Sequence, residues 1–268
     1  MTRTDSASAT YLYGVTQSRA APRGARAPRG LPGTTPPRAL DAGGGLWLIV
    51  ADAPLSRYGP EVVERQLQDL NWLSRCALAH EAVVEHFARA GTIVPMKLFT
   101  LFSTDERAIA HVARSRKEIA RVVARVAGRE EWAVRLSLDE RRALESAVAD
   151  RGARSTGGSA RSSSGTDFLM RKKAEHDAEQ RLVADAVREA ERVFDDLTAR
   201  ADDARRRTPV QGISGVRFLL DAAFLVRSAR VRQFRTAVAA RARGLSARGY
   251  ELTLTGPWPP YHFVGTSE

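Results

Sequence analysis

Leu70, Leu73, Ala77, His80, Val84 and Phe87 recur at steps of three and four. That spacing predicts a helix over Gln66–Ala90 with these residues on its buried face. Gly59-Pro60 precedes it, and Pro60 suits a first turn, where no N–H is needed. Gly91 stands where a left-handed C-terminal cap is wanted. From Ile93 the period falls to two. Val94, Met96, Leu98 and Phe102 alternate with Ile93, Phe99 and Leu101, so both faces are apolar, as in a strand covered on both sides. Pro95 cannot donate to a ladder and marks the strand's start or an edge. A helix packed on a strand in the middle of a sheet is the expected nucleus of the first half.

Ahead of this nucleus, Tyr11–Val15 reads as a short strand with its tyrosines on one face, and Leu46–Asp52 as another. Gly43-Gly44-Gly45 leads into a strand, which reads as a turn; a phosphate-cradling loop opens a helix instead. Asp105–Ala127 predicts a second helix on the stripe Ile109, Val112, Ile119, Val122, Val123 and Val126. Glu131–Asp139 alternates Trp132, Val134, Leu136 and Leu138 with Ala133, Arg135 and Ser137, a half-buried strand. A long helix from about Asp167 to Arg207 carries Val183, Val187, Ala190, Phe194, Leu197, Ala201 and Ala204 in a coiled-coil-like seam. Its outer face is of mixed sign. Val216–Val226 reads as a strand apolar on both faces. Ser228–Leu245 reads as a basic helix with Val231, Phe234, Val238 and Ala242 inward, and Tyr250–Thr255 as a strand.

The expected fold class is α+β in two domains. Residues 10–128 make a ferredoxin-like N-terminal domain, within which 17–38, rich in Pro, Gly and Arg, is expected to be flexible. Residues 129–264 make an α+β C-terminal domain, with a flexible Gly/Ser/Arg linker at 151–166 and the long coiled-coil-like helix at 167–207.

Composition adds a partner question. The 268 residues are 43% apolar, enough for a real core, and carry a net charge of +11. Five arginines and no acid lie between Thr16 and Leu40, and seven and no acid between Asp221 and Glu251. Such surfaces attract anionic partners, namely nucleic acid, acidic protein or headgroups; arginine used only for solubility gives the same composition. No K/R-G-F/Y run accompanies the charge, so specific nucleic-acid recognition is not expected.

Catalytic chemistry is not signalled. The single cysteine, Cys76, excludes an intrachain disulfide and a cysteine metal cluster, and near the apolar face it is expected to be an inert buried thiol. His80, His86, His111, His176 and His262 show no metal-ligand spacing. His80 is expected to be a hydrogen-bonded core residue. Phosphate-loop, dinucleotide and nucleophile-elbow motifs are absent. No enzyme activity, metal or cofactor is expected. No signal-peptide pattern opens the chain, and Asp221 breaks its longest apolar run, Phe218–Val226, so the expectation is a soluble cytoplasmic protein with no membrane span.

Four stretches carry a family resemblance. DLNWLSRCALAHEAVV from Asp69 and TIVPMKLFTLF from Thr92 resemble the gas vesicle GvpL/GvpF family. That family shows a similar D-L-x-W-L, an A-H-E on the helix, and a strand resembling L-P-L-R-F-G-T-L-F. Lys97 stands where arginine is usual, and Phe99 where glycine is usual. LLDAAFLV and GYELTLTGPWPPYHFV resemble the family's C-terminal signature, close to L-T-G-P-W-P-P-Y-S-F-V, with His262 where serine is common. Counting YLYGV, LPG and LWLIVADAPLSRYG, the likeness covers nearly the whole chain.

The resemblance implies an accessory protein of gas vesicle formation, at the gas vesicle in the cytoplasm. It implies contact with the small hydrophobic shell protein and with other accessory proteins during nucleation or assembly. Covering a shell subunit's apolar surface or β-edge would keep it from aggregating. Trp72, Lys97, Trp258 and Tyr261 are the candidate partner-binding residues. Gly256–Pro260 with Trp258 and Tyr261 makes a stiff aromatic edge, expected as a packed cap, with an exposed recognition surface as the other reading. The alternative function is a basic nucleic-acid-binding module on a ferredoxin-like sheet.

Overall fold

The computed structural model describes residues 7–22, 27–146, 165–208 and 215–265. Residues 151–164 of the expected linker lie outside these. The chain forms two compact units, Met1–Gly128 with Trp258–Glu268, and Arg129–Pro257. The last residues thus join the first unit rather than the second, where the sequence reading placed them. Helices and antiparallel sheets are mixed in both, an α+β fold.

The first unit is built on β1 (Ser8–Gln17), which is longer than the expected Tyr11–Val15 and almost wholly buried. It lies between β3 (Leu46–Pro54) and β4 (Ile93–Pro95), with β2 (Arg38–Asp41) outside β3 and β5 (Leu101–Phe102) also paired to β1. The central strand is therefore β1, and the stretch from Ile93 is not one strand but two short ones at the sheet's edge. The interruption has a backbone cause: Thr100 donates its N–H back to the Lys97 carbonyl at 3.2 Å, and Phe99 takes a left-handed φ of 63°. Such a residue cannot continue a pleat. The glycine run makes the β2–β3 turn as expected, with Asp41 accepting the Gly43 N–H at 2.7 Å.

The sheet is covered on both faces, which is why β1 is apolar throughout. On one face, Tyr11, Tyr13, Ile49 and Ala51 pack on Cys76, Val83, Val84 and Phe87 of α3 (Leu70–Ala90). On the other, Leu12, Val15, Leu48 and Val50 pack on Ala108 and Val112 of α4 (Asp105–Arg114) and on Ile119 and Val123 of α5 (Arg116–Val126). The single helix expected over Asp105–Ala127 is these two, joined at Ser115. Before α3 come α1 (Leu55–Tyr58) and α2 (Pro60–Gln66). Pro60 starts α2, while α3 has its own cap: the Asp69 carboxylate accepts the N–H groups of Asn71 and Trp72.

Two expectations change here. The buried face of α3 is Cys76, His80, Val83, Val84 and Phe87, while Leu70 is 73% exposed. Within 17–38, expected to be flexible, Leu31 is fully buried and Arg38 begins β2.

The second unit repeats the strand order of the first. β7 (Asp203–Arg206), β8 (Val216–Arg227), β6 (Arg129–Asp139) and β9 (Tyr250–Trp258) stand in that sequence across the sheet. In each unit the order is second, third, first, fourth by chain position. The core joins Trp132, Val134, Leu136 and Leu138 with Leu220, Ala222, Phe224 and Val226. It is capped by α6 (Gly165–Thr198) and α7 (Val231–Ser246). The long helix ends at Thr198, not Arg207, because the chain must turn to enter β7. Its buried positions are Ala186, Glu189, Ala190, Val193 and Leu197; of the expected seam, Ala190 and Leu197 are buried and Phe194 packs partly on the core, while Val187 is exposed. The alternating pattern read for β6 lies on the core face as expected.

Candidate functional site

The D-L-N-W-L and A-H-E parts of α3, the turn at Phe99 and Tyr261 come together on one face of the first unit's sheet, around three tyrosines, while LLDAAFLV lies in β8 of the second unit. β1 aims Tyr11 and Tyr13 to this face, because alternate residues of a strand share a side. Their rings meet edge-on at 4.7 Å. Each phenol holds a backbone segment that has no ladder of its own. Tyr11 accepts the Phe99 N–H at 3.2 Å, and Tyr13 accepts the Leu31 N–H at 3.0 Å. Tyr58 donates to the Pro32 carbonyl at 2.8 Å. This is how Leu31-Pro32-Gly33 becomes ordered despite its composition. Gly30 is required beside it: its φ is 73°, and a Cβ there would stand 2.2 Å from the Tyr13 oxygen.

His80, from the A-H-E segment, enters the same cluster. Its Nδ1 lies 2.7 Å from the Tyr11 oxygen. That oxygen already receives the Phe99 N–H, so its proton goes to Nδ1, and the ring proton of the neutral imidazole sits on Nε2. Nε2 is buried with no hydrogen bond of normal geometry, although the Met96 carbonyl beside the ring favours the protonated form. Burial dominates and lowers the His80 pKa to about 4. Burial likewise raises the Tyr11 and Tyr13 phenols above their ordinary value, and raises the Cys76 thiol. At neutral pH the cluster is uncharged, and its hydrogen bonds fix backbones. His80 is the hydrogen-bonded core residue the sequence suggests.

Trp72 stacks on Phe99, with centroids 5.1 Å apart and planes 13° apart. The Asp69 cap sets the first turn of α3 and so the direction of Trp72, which explains the D-L-x-W order. Phe99 stands where the resemblance leads one to expect glycine, and its positive φ is a conformation that favours glycine. Here the ring's stack on Trp72 offsets part of the backbone cost, about 1–2 kcal/mol.

The four candidate partner-binding residues are therefore placed differently. Trp72 is half-buried in the aromatic cluster, and Tyr261 packs against the same cluster with its hydroxyl buried beside the Glu81 carboxylate. Burial, then Glu81, raises the Tyr261 pKa. Lys97 is exposed at the turn that carries Phe99, and its carbonyl accepts both the N–H and the Oγ1 of Thr100. Trp258 is 41% exposed at the end of β9, so the packed-cap expectation does not hold for this ring. Pro259, next to it, is buried.

Sequence reasoning missed the role of Tyr58, the Asp69 cap and an apolar surface. Leu70 and Leu78 are 73% and 72% exposed, and Leu67 is 45% exposed. Leu70 and Leu78 lie on α3 outside its buried face, and Leu67 stands at the C-terminal cap of α2. The signal for the cap was present, an aspartate just before an apolar-periodic run.

Arginine charge is partly answered within each unit. Arg38 bridges Asp52 at 2.6 Å and Asp105 at 2.8 Å, with Thr10 also donating to Asp105. This pairing with Arg38 lowers the Asp105 pKa. In the second unit Asp202 pairs with Arg129 and Arg227, and buried Asp221 with Arg135 and Arg207. Among the described residues, no group of three or more His, Cys, Asp or Glu is placed to hold a metal, and no helix is long and apolar enough to cross a membrane.

Comparison with known proteins gives consistent relatives. The family model described as gas vesicle synthesis protein GvpL/GvpF matches residues 9–265. Gas vesicle protein L of Streptomyces sp. (strain CB03234) is 30% identical over 267 residues, covering 96% of this chain and 93% of that one. The crystal structure of the gas vesicle protein GvpF from Anabaena sp. PCC7120 matches with a TM-score of 0.68 at 18% identity, over 97% of this chain and 98% of that chain. That of GvpF from Microcystis aeruginosa matches at 0.61 and 16%, over 96% and 99%. Both show the same fold.

Proposed function

The chain belongs to the gas vesicle synthesis protein GvpL/GvpF family, which supports a role in gas vesicle formation, and from that premise we propose that it is a non-enzymatic accessory that binds the hydrophobic shell protein and fellow accessory proteins during nucleation or assembly. Its place of action is the gas vesicle, within the cytoplasm. The observation that carries this reading is the pair Leu70 and Leu78, exposed on the helix that carries the D-L-N-W-L segment, with exposed Leu67 at the turn just before that helix. Leucines exposed to this degree on one side of the unit fit a partner whose own surface is apolar. The stacked Trp72 and Phe99 hold the start of this helix in place, and exposed Lys97 and Trp258 offer further contacts in the same unit. Trp72 and Tyr261 act mainly as supports beneath that surface.

We also read both units as ferredoxin-like. Supporting this is their common antiparallel strand order. In the second unit α6 separates the first two strands and α7 the last two. In the first, the Leu31-Pro32-Gly33 segment takes the place of the first helix.

Co-expression with the shell protein and with each accessory protein encoded beside it, followed by affinity pull-down, tests the function. Recovery of at least one of them is expected. Recovery of none would remove the accessory reading.

A further inference from the structure

A groove runs between α6 and α7 in the second unit, with a volume of about 350 Å³. Its floor is Ala237, Ala240 and Gly244, spaced three and four apart on one side of α7. Its walls carry Arg200, Arg241 and Arg248. We propose that this groove docks a carboxylate-rich amphipathic helix of a partner protein.

Charge is the first argument. Two carboxylates at the groove, Glu189 and Asp196, face four guanidiniums. Glu189 is buried and pairs with Arg192 at 3.3 Å, Arg248 at 3.1 Å and Arg241 at 3.9 Å. Asp196 pairs with Arg200 at 3.2 Å and Arg241 at 3.4 Å. The balance is two positive charges, presented as guanidinium forks that match carboxylates. The rest of α7 adds no acid to offset them.

The floor is the second argument. Glycine is unfavourable inside a helix, second only to proline. At Gly244 nothing in the chain calls for it, since an added Cβ would meet no atom within 4 Å. With the alanines it leaves a shallow channel in which another helix's backbone can come close, ridge into groove. The charge alone would also suit nucleic acid. The lining has no aromatic side chain on which a base could stack, and its methyl-and-glycine floor suits a helix instead.

This inference rests on the accessory-protein reading only in taking the partner to be a protein, and its test addresses the groove alone. The probe is a fluorescently labelled synthetic peptide of about 20 residues, long enough to form a helix, with alanine and leucine on one face and glutamate on the other. Anisotropy against the full chain should show saturable binding. Gly244→Leu, which fills the channel, and Arg200→Gln, a surface change, should each weaken it about tenfold with thermal melting unchanged. Replacing the peptide's glutamates by glutamines should do the same. If Gly244→Leu melts lower, Arg200→Gln and the glutamine peptide decide. Equal binding by the variants, or by the glutamine peptide, overturns the proposal. So does a single-stranded RNA oligonucleotide that binds more tightly and is indifferent to Gly244→Leu. Peptide binding alongside a failed pull-down would keep the groove and remove the shell-partner reading; the reverse would remove the groove alone.

Discussion

Tyr11 donates its hydroxyl proton to Nδ1 of His80 across 2.7 Å, while its oxygen takes the Phe99 N–H at 3.2 Å. One phenol on the central strand thus joins a helix and a turn that are 69 and 88 residues away in sequence. This bond requires a neutral imidazole that offers its lone pair at Nδ1.

Acid should therefore destabilise the protein in a defined window. His80 has a folded pKa near 4 against an ordinary 6.5. Between those values the unfolded chain binds a proton that the folded chain refuses. Stability is fully present above about pH 6.5 and is lost as pH falls toward about 4, by up to about 3 kcal/mol. His80→Asn keeps an acceptor for Tyr11 and cannot titrate. Denaturant midpoints at about pH 7 and pH 4.5 should differ less for this variant than for the natural chain. Equal differences would mean that His80 is not held neutral.

Phe99 offers a test of backbone strain separated from side-chain packing. Phe99→Gly and Phe99→Ala both lose the stack on Trp72. Only glycine relieves the left-handed φ of 63°. Phe99→Gly should be more stable than Phe99→Ala by about 1 kcal/mol, measured by chemical denaturation. Two equal variants would show that the turn does not require this conformation.

Much of this architecture is readable from residue order, and the exceptions have physical causes. The alternation in Trp132–Leu138 gave β6 because one face of that strand meets the core. The stretch Ile93–Phe102 alternates just as well, yet it breaks, because a turn closed by Thr100 onto Lys97 and pinned by Tyr11 depends on partners distant in sequence. On α3, steps of three and four fit two overlapping stripes. The core takes the one through Cys76 and Val83, which leaves Leu70 in water. Composition made 17–38 look unable to order itself, since nothing local shows that Tyr13 and Tyr58 bond to Leu31 and Pro32. The aromatic cluster was visible only as separate motifs; that Trp72, Phe99 and Tyr261 share one core follows from the sheet order.

Trp258 should behave as a surface residue. Truncating a buried aromatic costs about 3–5 kcal/mol, but this ring is 41% exposed. Trp258→Ala should cost about 1 kcal/mol or less in thermal unfolding. If it contacts a partner, binding should weaken by about 2 kcal/mol in titration. A stability loss in the core range would return this ring to a packed cap.

The most direct test introduces charge at the exposed leucines of α3. Leu70 and Leu78 contribute little to the core, being 73% and 72% exposed, so Leu70→Asp with Leu78→Asp should leave the melting temperature nearly unchanged. The same double variant, co-expressed with the gas vesicle shell and accessory proteins, should lose the partner that the natural chain retains in a pull-down. A variant that melts normally and still recovers that partner in full would contradict the assignment of this helix face as the contact surface.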